Sequence, residues 1–203
     1  NSNILGVHLE GPFINPNKLG AQPPRTQLPS KEFIENILKV APIKTITIAP
    51  EIDNMRDFIP FLIEKNINVQ FGHSIADSDC CEQYMNQYKI SFTHLYNAMS
   101  DNNHRKPGVL SSALLKGKFA EIICDLNHVS EESILIAKKC IPDLYAITDA
   151  ISACGLSNGD YKFAGIDITK TDKKVMIKES STLAGSIVNM HETFLNLLKI
   201  NIS

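Results

Sequence analysis

The sequence predicts an α/β fold of the (β/α)8 TIM type, present in this chain as an incomplete barrel of about six βα units with a β-hairpin excursion. Three observations predict it. Short apolar runs alternate with helical patterns, their spacing is regular, and polar residues stand at the ends of the runs. The 203 residues are 43% hydrophobic, enough to bury a sizeable core, so we treat residues 1–203 as one partial barrel domain.

The six predicted strands are short, apolar and rich in β-branched residues. Such runs are typical of a parallel sheet that helices cover on both faces. After the first gap they begin roughly every 25 residues, the length of one strand, one helix and their loops. The predicted strands are Ile4–Leu9, Thr45–Ala49, Asn68–Phe71, Ser91–Thr93, Phe119–Cys124 and Leu144–Ile147.

Most helical patterns between the strands begin with a residue that caps helices well, because its side chain accepts a hydrogen bond from the first turn. Pro60 inside the second helix predicts a late start or a kink. The predicted caps and helices are Ser30 before an apolar face ending at Ala41, Asp53 before Met55–Lys65, Asp77 or Ser78 before Asp79–Gln87, and Ser130 before Ile134–Cys140.

Two further helices are predicted from proline and glycine. Pro107 is placed in the first turn of a helix that runs through Leu115 and ends at Gly117, since proline suits a first turn and glycine a C-terminus. The last helix is predicted to begin near Gly185 and Ser186. Its apolar pattern continues to the end of the chain.

The segment Tyr161–Ile177 differs from the rest of the chain. It alternates polar and apolar residues and carries turn residues, so we interpret it as an antiparallel excursion rather than a barrel strand.

The alternation of strands and helices fits either a doubly wound open sheet or a barrel. Carboxyl ends of barrel strands meet at one mouth, whereas in an open sheet only those near a switch point meet. Polar candidates on five strands therefore favour the barrel. They are Glu10, His73, His94, His128 and Asp149. A closed barrel has eight strands, so two βα units are expected outside this chain.

Three of these residues are of the types that bind metals. Imidazole from His73 and His94 suits zinc or ferrous iron, and the carboxylate of Glu10 completes a three-ligand site with an open position for water. A buried carboxylate at the end of an apolar strand also needs a compensating cation. Asp149 is a candidate proton carrier beside the ion, or else a helix cap.

Two other features each allow two interpretations from the residues around them. His128 either binds substrate or is held by Asp125 alone. The basic loop with His104 and Arg105 either holds an anionic group or is a solvated loop.

Net charge, hydropathy and cysteine content argue against several classes of protein. The net charge is −2 with mixed signs, so no nucleic-acid partner is indicated. No apolar run reaches the ~18 residues of a membrane span. The five cysteines are scattered without a CxxC pair, which favours reduced thiols and a cytoplasmic location.

The motifs, taken together, resemble those of the N-acetylglucosamine-6-phosphate deacetylases, metal-dependent hydrolase barrels of the amidohydrolase superfamily. The resemblance covers nearly the whole chain, and its most specific part is the block Thr93–Met99. The motifs in order are His8–Phe13, Gly72–Ser74, Thr93–Met99, Arg105–Gly108, Thr148–Ala150 and Leu183–Ser186.

The resemblance implies a catalytic centre. It makes Glu10, His73 and His94 ligands of a divalent ion, zinc or iron, with one or two ions per subunit. It makes Asp149 the general base and acid that removes acetate from N-acetylglucosamine 6-phosphate. It also implies a homodimer or homotetramer in amino-sugar metabolism.

The resemblance implies a substrate site as well. Asn97, Ala98 and His128 would contact the sugar phosphate, and Arg105 would bind the phosphate, in some relatives across a dimer interface. Gln22 stands where many relatives have a histidine that polarises the acetyl carbonyl; it still donates a hydrogen bond but carries no charge.

The chain departs from the family in two more respects. Leu126 replaces a usual glycine before His128, which affects how that histidine is placed. A His-x-His motif on the first barrel strand and a small β-sandwich domain would lie outside this chain. The alternatives are an amidohydrolase acting on another N-acyl substrate, or an inactive sugar-phosphate-binding relative or fragment.

Overall fold

The computed structural model describes residues 3–202, and six parallel strands form its main sheet. The strands pair in chain order from β1 to β6, every pair parallel. They are β1 (Val7–Glu10), β2 (Ile43–Ile48), β3 (Asn68–Phe71), β4 (Ile90–Phe92), β5 (Phe119–Ile123) and β6 (Asp143–Ile147). A doubly wound sheet reverses its order at a switch point, and this sheet does not. The predicted incomplete barrel is confirmed.

Five α-helices join consecutive strands of this sheet and a sixth follows it, and a short 3-10 helix (Pro16–Lys18) lies between β1 and the first α-helix. The α-helices are α1 (Lys31–Leu38), α2 (Met55–Glu64), α3 (Ser78–Met85), α4 (Val109–Lys116), α5 (Glu131–Cys140) and α6 (Met190–Lys199). The predicted caps Ser30, Asp77 and Ser130 each accept a hydrogen bond from the backbone of the first turn. No helix among residues 3–202 is long and apolar enough to cross a membrane.

A separate antiparallel sheet confirms the predicted excursion and extends it to three strands. The strands β7 (Gly159–Phe163), β8 (Ile166–Lys170) and β9 (Val175–Ile177) pair in chain order. Ile168 and Val175 are fully buried between this sheet and the loops beside it. The sheet is therefore an insertion with its own small core, placed between β6 and α6.

The main core lies between the parallel sheet and its helices. Phe13, Phe58, Phe71 and Phe92 have almost no exposed surface. Phe13 and Phe58 meet edge to face with ring centroids 5.0 Å apart, an arrangement that aromatic pairs prefer. Each buried aromatic or branched side chain contributes about 1.5–3 kcal/mol, so this layer is the main source of stability.

Polar side chains line the concave face of the sheet, below the strand ends. Thr47 Oγ1 on β2 lies 2.7 Å from Thr93 Oγ1, directly after β4. A contact that skips β3 requires a sheet that curls toward its inner face. The hydrogen bonds continue from Thr93 through Gln70 to Glu121, which is only 5% exposed. The barrel interior is therefore polar and hydrogen-bonded beneath the site.

Several predicted element bounds are wrong. The strand β1 begins at Val7 rather than Ile4. Asn54, with a φ of 71° and no side-chain cap bond, precedes α2 in place of Asp53. Gly108 is the N-cap of α4, so Pro107 lies before the helix rather than in its first turn. The predicted domain bounds, residues 1 and 203, lie outside the described residues.

Candidate metal centre and active site

Three strand ends bring Glu10, His73 and His94 together. Glu10 is the last residue of β1, His73 lies two residues beyond β3, and His94 lies two residues beyond β4. Their three ligand atoms all lie within 4.8 Å of one another. Strands that run parallel in a curled sheet end at one mouth, which is why residues 84 positions apart meet here.

The distances within this cluster are short. Glu10 Oε1 lies 2.9 Å from His73 Nε2 and 2.8 Å from His94 Nε2. The two Nε2 atoms are 3.0 Å apart. Three donor atoms this close are able to share one ion at ligand distances of about 2.0–2.2 Å. The donor set of two imidazoles and one carboxylate fits zinc or ferrous iron and leaves a position for water or substrate.

Contacts behind the cluster fix the orientation of two of its members. His73 Nδ1 lies 2.7 Å from the carbonyl oxygen of Lys18. A carbonyl only accepts, so Nδ1 carries a proton and Nε2 faces the cluster, where its lone pair would be available to a bound ion. Gln22 Nε2 donates to Glu10 Oε2 at 2.6 Å. Gln22 thus holds the carboxylate, a contact that the sequence did not indicate.

Electrostatic coupling within the cluster shifts two pKa values. Burial alone would raise the pKa of Glu10, but the hydrogen bonds from His73 and His94 hold it well below its usual value. Burial would lower the pKa of His94, but the contact with Glu10 outweighs it and raises that pKa to about 9. The carboxylate therefore favours bound cations, either protons or a metal ion.

Strained backbone places the functional side chains. His73, His94, Ala98 and Asp149 have φ values of 49°, 28°, 49° and 49°. Positive φ is uncommon for residues other than glycine and costs of order 1–3 kcal/mol each, so the surrounding hydrogen bonds must hold these turns. Sequence reasoning has no signal for this strain.

Asp149 faces the same cavity, which has a volume of about 420 Å³. Burial and the neighbouring charge of Glu10 raise the pKa of Asp149, while the three histidines nearby partly offset the rise. The backbone N–H of Ser186 donates to the carbonyl of Asp149 at 2.9 Å, and the chain after Asp149 forms a turn rather than a helix. A carboxylate whose pKa is raised accepts a proton more readily, so Asp149 is suited to proton transfer.

The predicted substrate-binding residues are divided between the cavity wall and the surface. Gln22, Asn97, Ala98 and His128 line the cavity. Arg105 does not line it and lies exposed in the loop before α4. The phosphate-binding role of Arg105 stays a prediction.

His128 is held in the wall by Asp125. Its Nδ1 lies 2.7 Å from Asp125 Oδ2, and both side chains are about 8% exposed. Hydrogen bonds from the His128 ring and from the backbone of His128 and Asn127 lower the pKa of Asp125 against the effect of burial. Leu126 has a φ of 60°, so it adopts the conformation that the usual glycine would take without strain.

The antiparallel insertion also contributes to the cavity, which sequence reasoning missed. Phe163 from β7 and the segment Ser181–Leu183 line it. Gly185 follows with a φ of 63°, and a Cβ there would lie 3.2 Å from the carbonyl oxygen of Asp149. The only sequence signal for this contribution was the Leu183–Ser186 motif, which follows the antiparallel sheet and not a strand of the barrel.

Comparisons with known proteins agree on one enzyme. The chain is 37% identical over 195 residues to N-acetylglucosamine-6-phosphate deacetylase of Bacillus subtilis (strain 168), covering 93% of this chain and 49% of that protein. It is 34% identical over 199 residues to the same enzyme of Rattus norvegicus, covering 92% and 49%. The chain thus spans about half the length of the curated relatives it matches. No protein-family model matches the chain.

Solved structures give the same result. N-acetylglucosamine-6-phosphate deacetylase from Pasteurella multocida superposes with a TM-score of 0.89 at 31% identity, over 98% of this chain and 54% of that one. A mutant of the enzyme from Mycobacterium smegmatis, in complex with N-acetyl-D-glucosamine-6-phosphate, has a TM-score of 0.89 at 28% identity. That match covers 96% of this chain and 52% of the other.

Proposed function

From the homology of this chain to the N-acetylglucosamine-6-phosphate deacetylases, we propose that the full protein hydrolyses the acetamide of N-acetylglucosamine 6-phosphate to acetate and glucosamine 6-phosphate. One observation carries the proposal. Glu10, His73 and His94 converge to within 4.8 Å in a cavity that Asp149 also lines. The homology extends over 93% of this chain.

A divalent ion, zinc or iron, completes the proposed site. Glu10, His73 and His94 would hold it through one carboxylate oxygen and two Nε2 atoms. When bound, the ion supplies Lewis-acid chemistry, polarising a carbonyl or lowering the pKa of water. The Lys18 carbonyl and Gln22 keep two of the ligands oriented.

Asp149 carries the proton in the proposed reaction. As a carboxylate it removes a proton from the water that attacks the amide carbon. It then delivers that proton to the nitrogen, because an amine leaves readily only after protonation. Burial raises the pKa of Asp149, so its carboxylate is a better proton acceptor than that of an exposed aspartate.

The wall of the cavity would orient the sugar phosphate. His128, fixed by Asp125, and Asn97 offer donors and acceptors, and Ala98 offers its backbone. Arg105 lies outside this cavity, so we propose that it binds the phosphate of the substrate held in a neighbouring subunit of a homodimer or homotetramer. The free cysteines among the described residues support a cytoplasmic location.

Acetate release by the full-length protein tests the proposal. We expect turnover of N-acetylglucosamine 6-phosphate that a chelator abolishes and added zinc or iron restores. Arg105→Ala should raise KM for the phosphorylated substrate at least tenfold, and we expect a far smaller effect on unphosphorylated N-acetylglucosamine. Lys118→Ala, at another exposed cation, is the matched control.

Two outcomes would favour the alternatives. Turnover of another N-acyl substrate in preference to the sugar phosphate would indicate a different amidohydrolase. Tight binding of the sugar phosphate without acetate release, in protein loaded with metal, would indicate an inactive relative.

A further inference from the structure

Glu51 follows β2, a strand that supplies none of the predicted ligands or catalytic residues. We propose that Glu51 is a positioning residue for His73: its carboxylate fixes the turns on both sides of that ligand and so sets the affinity of the site for metal. The inference rests on the proposed metal site and adds a residue to it.

The carboxylate of Glu51 accepts three hydrogen bonds. Its Oε1 accepts from Asn15 Nδ2 at 2.9 Å and from the backbone N–H of Ile75 at 2.8 Å. Its Oε2 accepts from Ser74 Oγ at 2.7 Å. A carboxylate only accepts, and bonds to an ionised acceptor are roughly twice as strong as neutral ones, so this residue type suits three converging donors.

Two of these donors belong to the turn directly after His73. Ser74 is completely buried, and its Oγ also accepts from the backbone of Ala76 at 3.0 Å. His73 itself has a φ of 49°, a conformation that persists only where neighbouring contacts hold it. By fixing Ser74 and Ile75, Glu51 holds the turn that aims the His73 ring at the cluster.

Asn15, whose side chain is the third donor, also contacts His73 directly. The backbone N–H of Asn15 donates to the carbonyl oxygen of His73 at 2.9 Å. The same loop continues to Lys18, whose carbonyl accepts from His73 Nδ1. Glu51 therefore connects the loop after β1 to the turn after β3, and both contact the same ligand.

The experiment measures zinc affinity of the full-length protein by competition with a chromophoric chelator, together with kcat, KM and Tm. Glu51→Gln keeps the size of the side chain but replaces one acceptor by a donor. We expect zinc affinity to fall about 10- to 100-fold, the usual effect of losing a contact behind a metal ligand. At saturating zinc, KM should stay within twofold of wild type.

Two further variants sharpen the test. Ser74→Ala removes one partner of Glu51 and should lower zinc affinity by a smaller factor. The double variant should lose less than the product of the two single losses, because both act through one contact. Glu64→Gln, at an exposed glutamate in the last turn of α2, should leave zinc affinity unchanged.

The failures of the two proposals are distinguishable. If the wild-type protein neither binds zinc nor releases acetate, the proposed function fails. If the wild-type protein does both, and Glu51→Gln lowers Tm while its zinc affinity stays within twofold, Glu51 only supports the fold and the present inference is wrong. Should Glu51→Gln not fold, the zinc affinity of Ser74→Ala decides by the same criterion.

Discussion

Glu10 uses both of its carboxylate oxygens. Oε1 faces the two histidines, and Oε2 accepts from Gln22. An ion bound at Oε1 therefore leaves the contact with Gln22 intact. Gln22 would orient a metal ligand, a role different from the contact with the acetyl group that the family resemblance implied.

Asp149→Asn tests the proton-carrying role. Asparagine keeps the shape of the side chain but neither accepts a proton from water nor delivers one to nitrogen. We expect kcat for acetate release to fall about 10²- to 10⁴-fold. Zinc content of the purified full-length protein should stay near that of the wild type. Turnover within tenfold of wild type would assign the proton transfer to another group.

Asp125→Asn tests the support of His128 through its pH dependence. The folded-state pKa of Asp125 is lowered, so its contribution is fully present above the unfolded pKa of about 3.9 and is lost as pH falls through the folded value. We expect the variant to be about 1–3 kcal/mol less stable at pH 7, and the difference to shrink below pH 4. Urea unfolding at pH 7, 5 and 3.5 measures it. A difference that grows with acid would contradict this account.

The sequence predicted that Glu10, His73 and His94 would meet, because each stands at a strand end and parallel strands end together. It did not indicate Glu51, which also follows a strand but follows it in an Ala-Pro-Glu turn without the histidine that draws attention to a metal site. The positive φ values of the site were also beyond reach, since long-range contacts impose them.

At the scale of elements, Gly108 couples α4 to the loop after β4. The N-cap residue of α4, Gly108, has no side chain to cap the helix. Ser100 Oγ instead accepts a hydrogen bond from the backbone N–H of Val109 at 2.8 Å. A Cβ on Gly108 would lie 2.6 Å from Ser100 Cβ. The start of α4 therefore depends on the close approach of the Gly108 backbone to the Ser100 side chain.

Gly108→Ala should destabilise the full-length protein by about 1–3 kcal/mol, the usual cost of overpacking. Urea unfolding with metal bound measures the change. Leu115→Ala, at a position of the same helix that is 76% exposed, is the control and should change stability far less. Equal effects of the two variants would show that Ser100 moves aside at little cost, which would contradict this account.

The sequence correctly predicted the start of helices whose N-cap residue lies directly before the first turn. Ser30 and Ser130 cap α1 and α5 as expected. The start of α6 was misplaced because Gly185 and Ser186 belong to the turn beside Asp149, and Asn189 forms a capping box with Glu192 instead. A glycine serving a distant site is not distinguishable, in sequence, from one serving a helix end.

At the scale of the whole molecule, the six-stranded sheet has two edges, β1 and β6, that pair with no further strand among the described residues. Apolar side chains are exposed near these edges. Ile4 is 84% exposed beside β1, Tyr145 on β6 is 42% exposed, and Phe194 on α6 is 56% exposed. Unpaired strand edges with exposed apolar groups promote association.

We therefore expect the isolated 203-residue chain to self-associate more strongly than the full-length protein. Sedimentation velocity at several concentrations compares the two. A monodisperse isolated chain that unfolds cooperatively would contradict the expectation and show that this part of the barrel is stable alone.

The parallel barrel-type sheet could be predicted from the sequence because the spacing of the apolar runs and the polar residues at their ends both indicated it. The contribution of β7 and of the segment after β9 to the cavity could not be predicted, since it depends on how the insertion packs against residues distant in sequence. The outer walls of an active site are thus harder to predict than its floor.

The location of a bound metal tests the central claim most directly. The measurement is anomalous diffraction from crystals of the full-length protein loaded with zinc. We predict an anomalous peak about 2.0–2.2 Å from Glu10 Oε1, His73 Nε2 and His94 Nε2, with Asp149 facing it across the cavity. A fully loaded crystal with no peak among these three atoms would contradict the account.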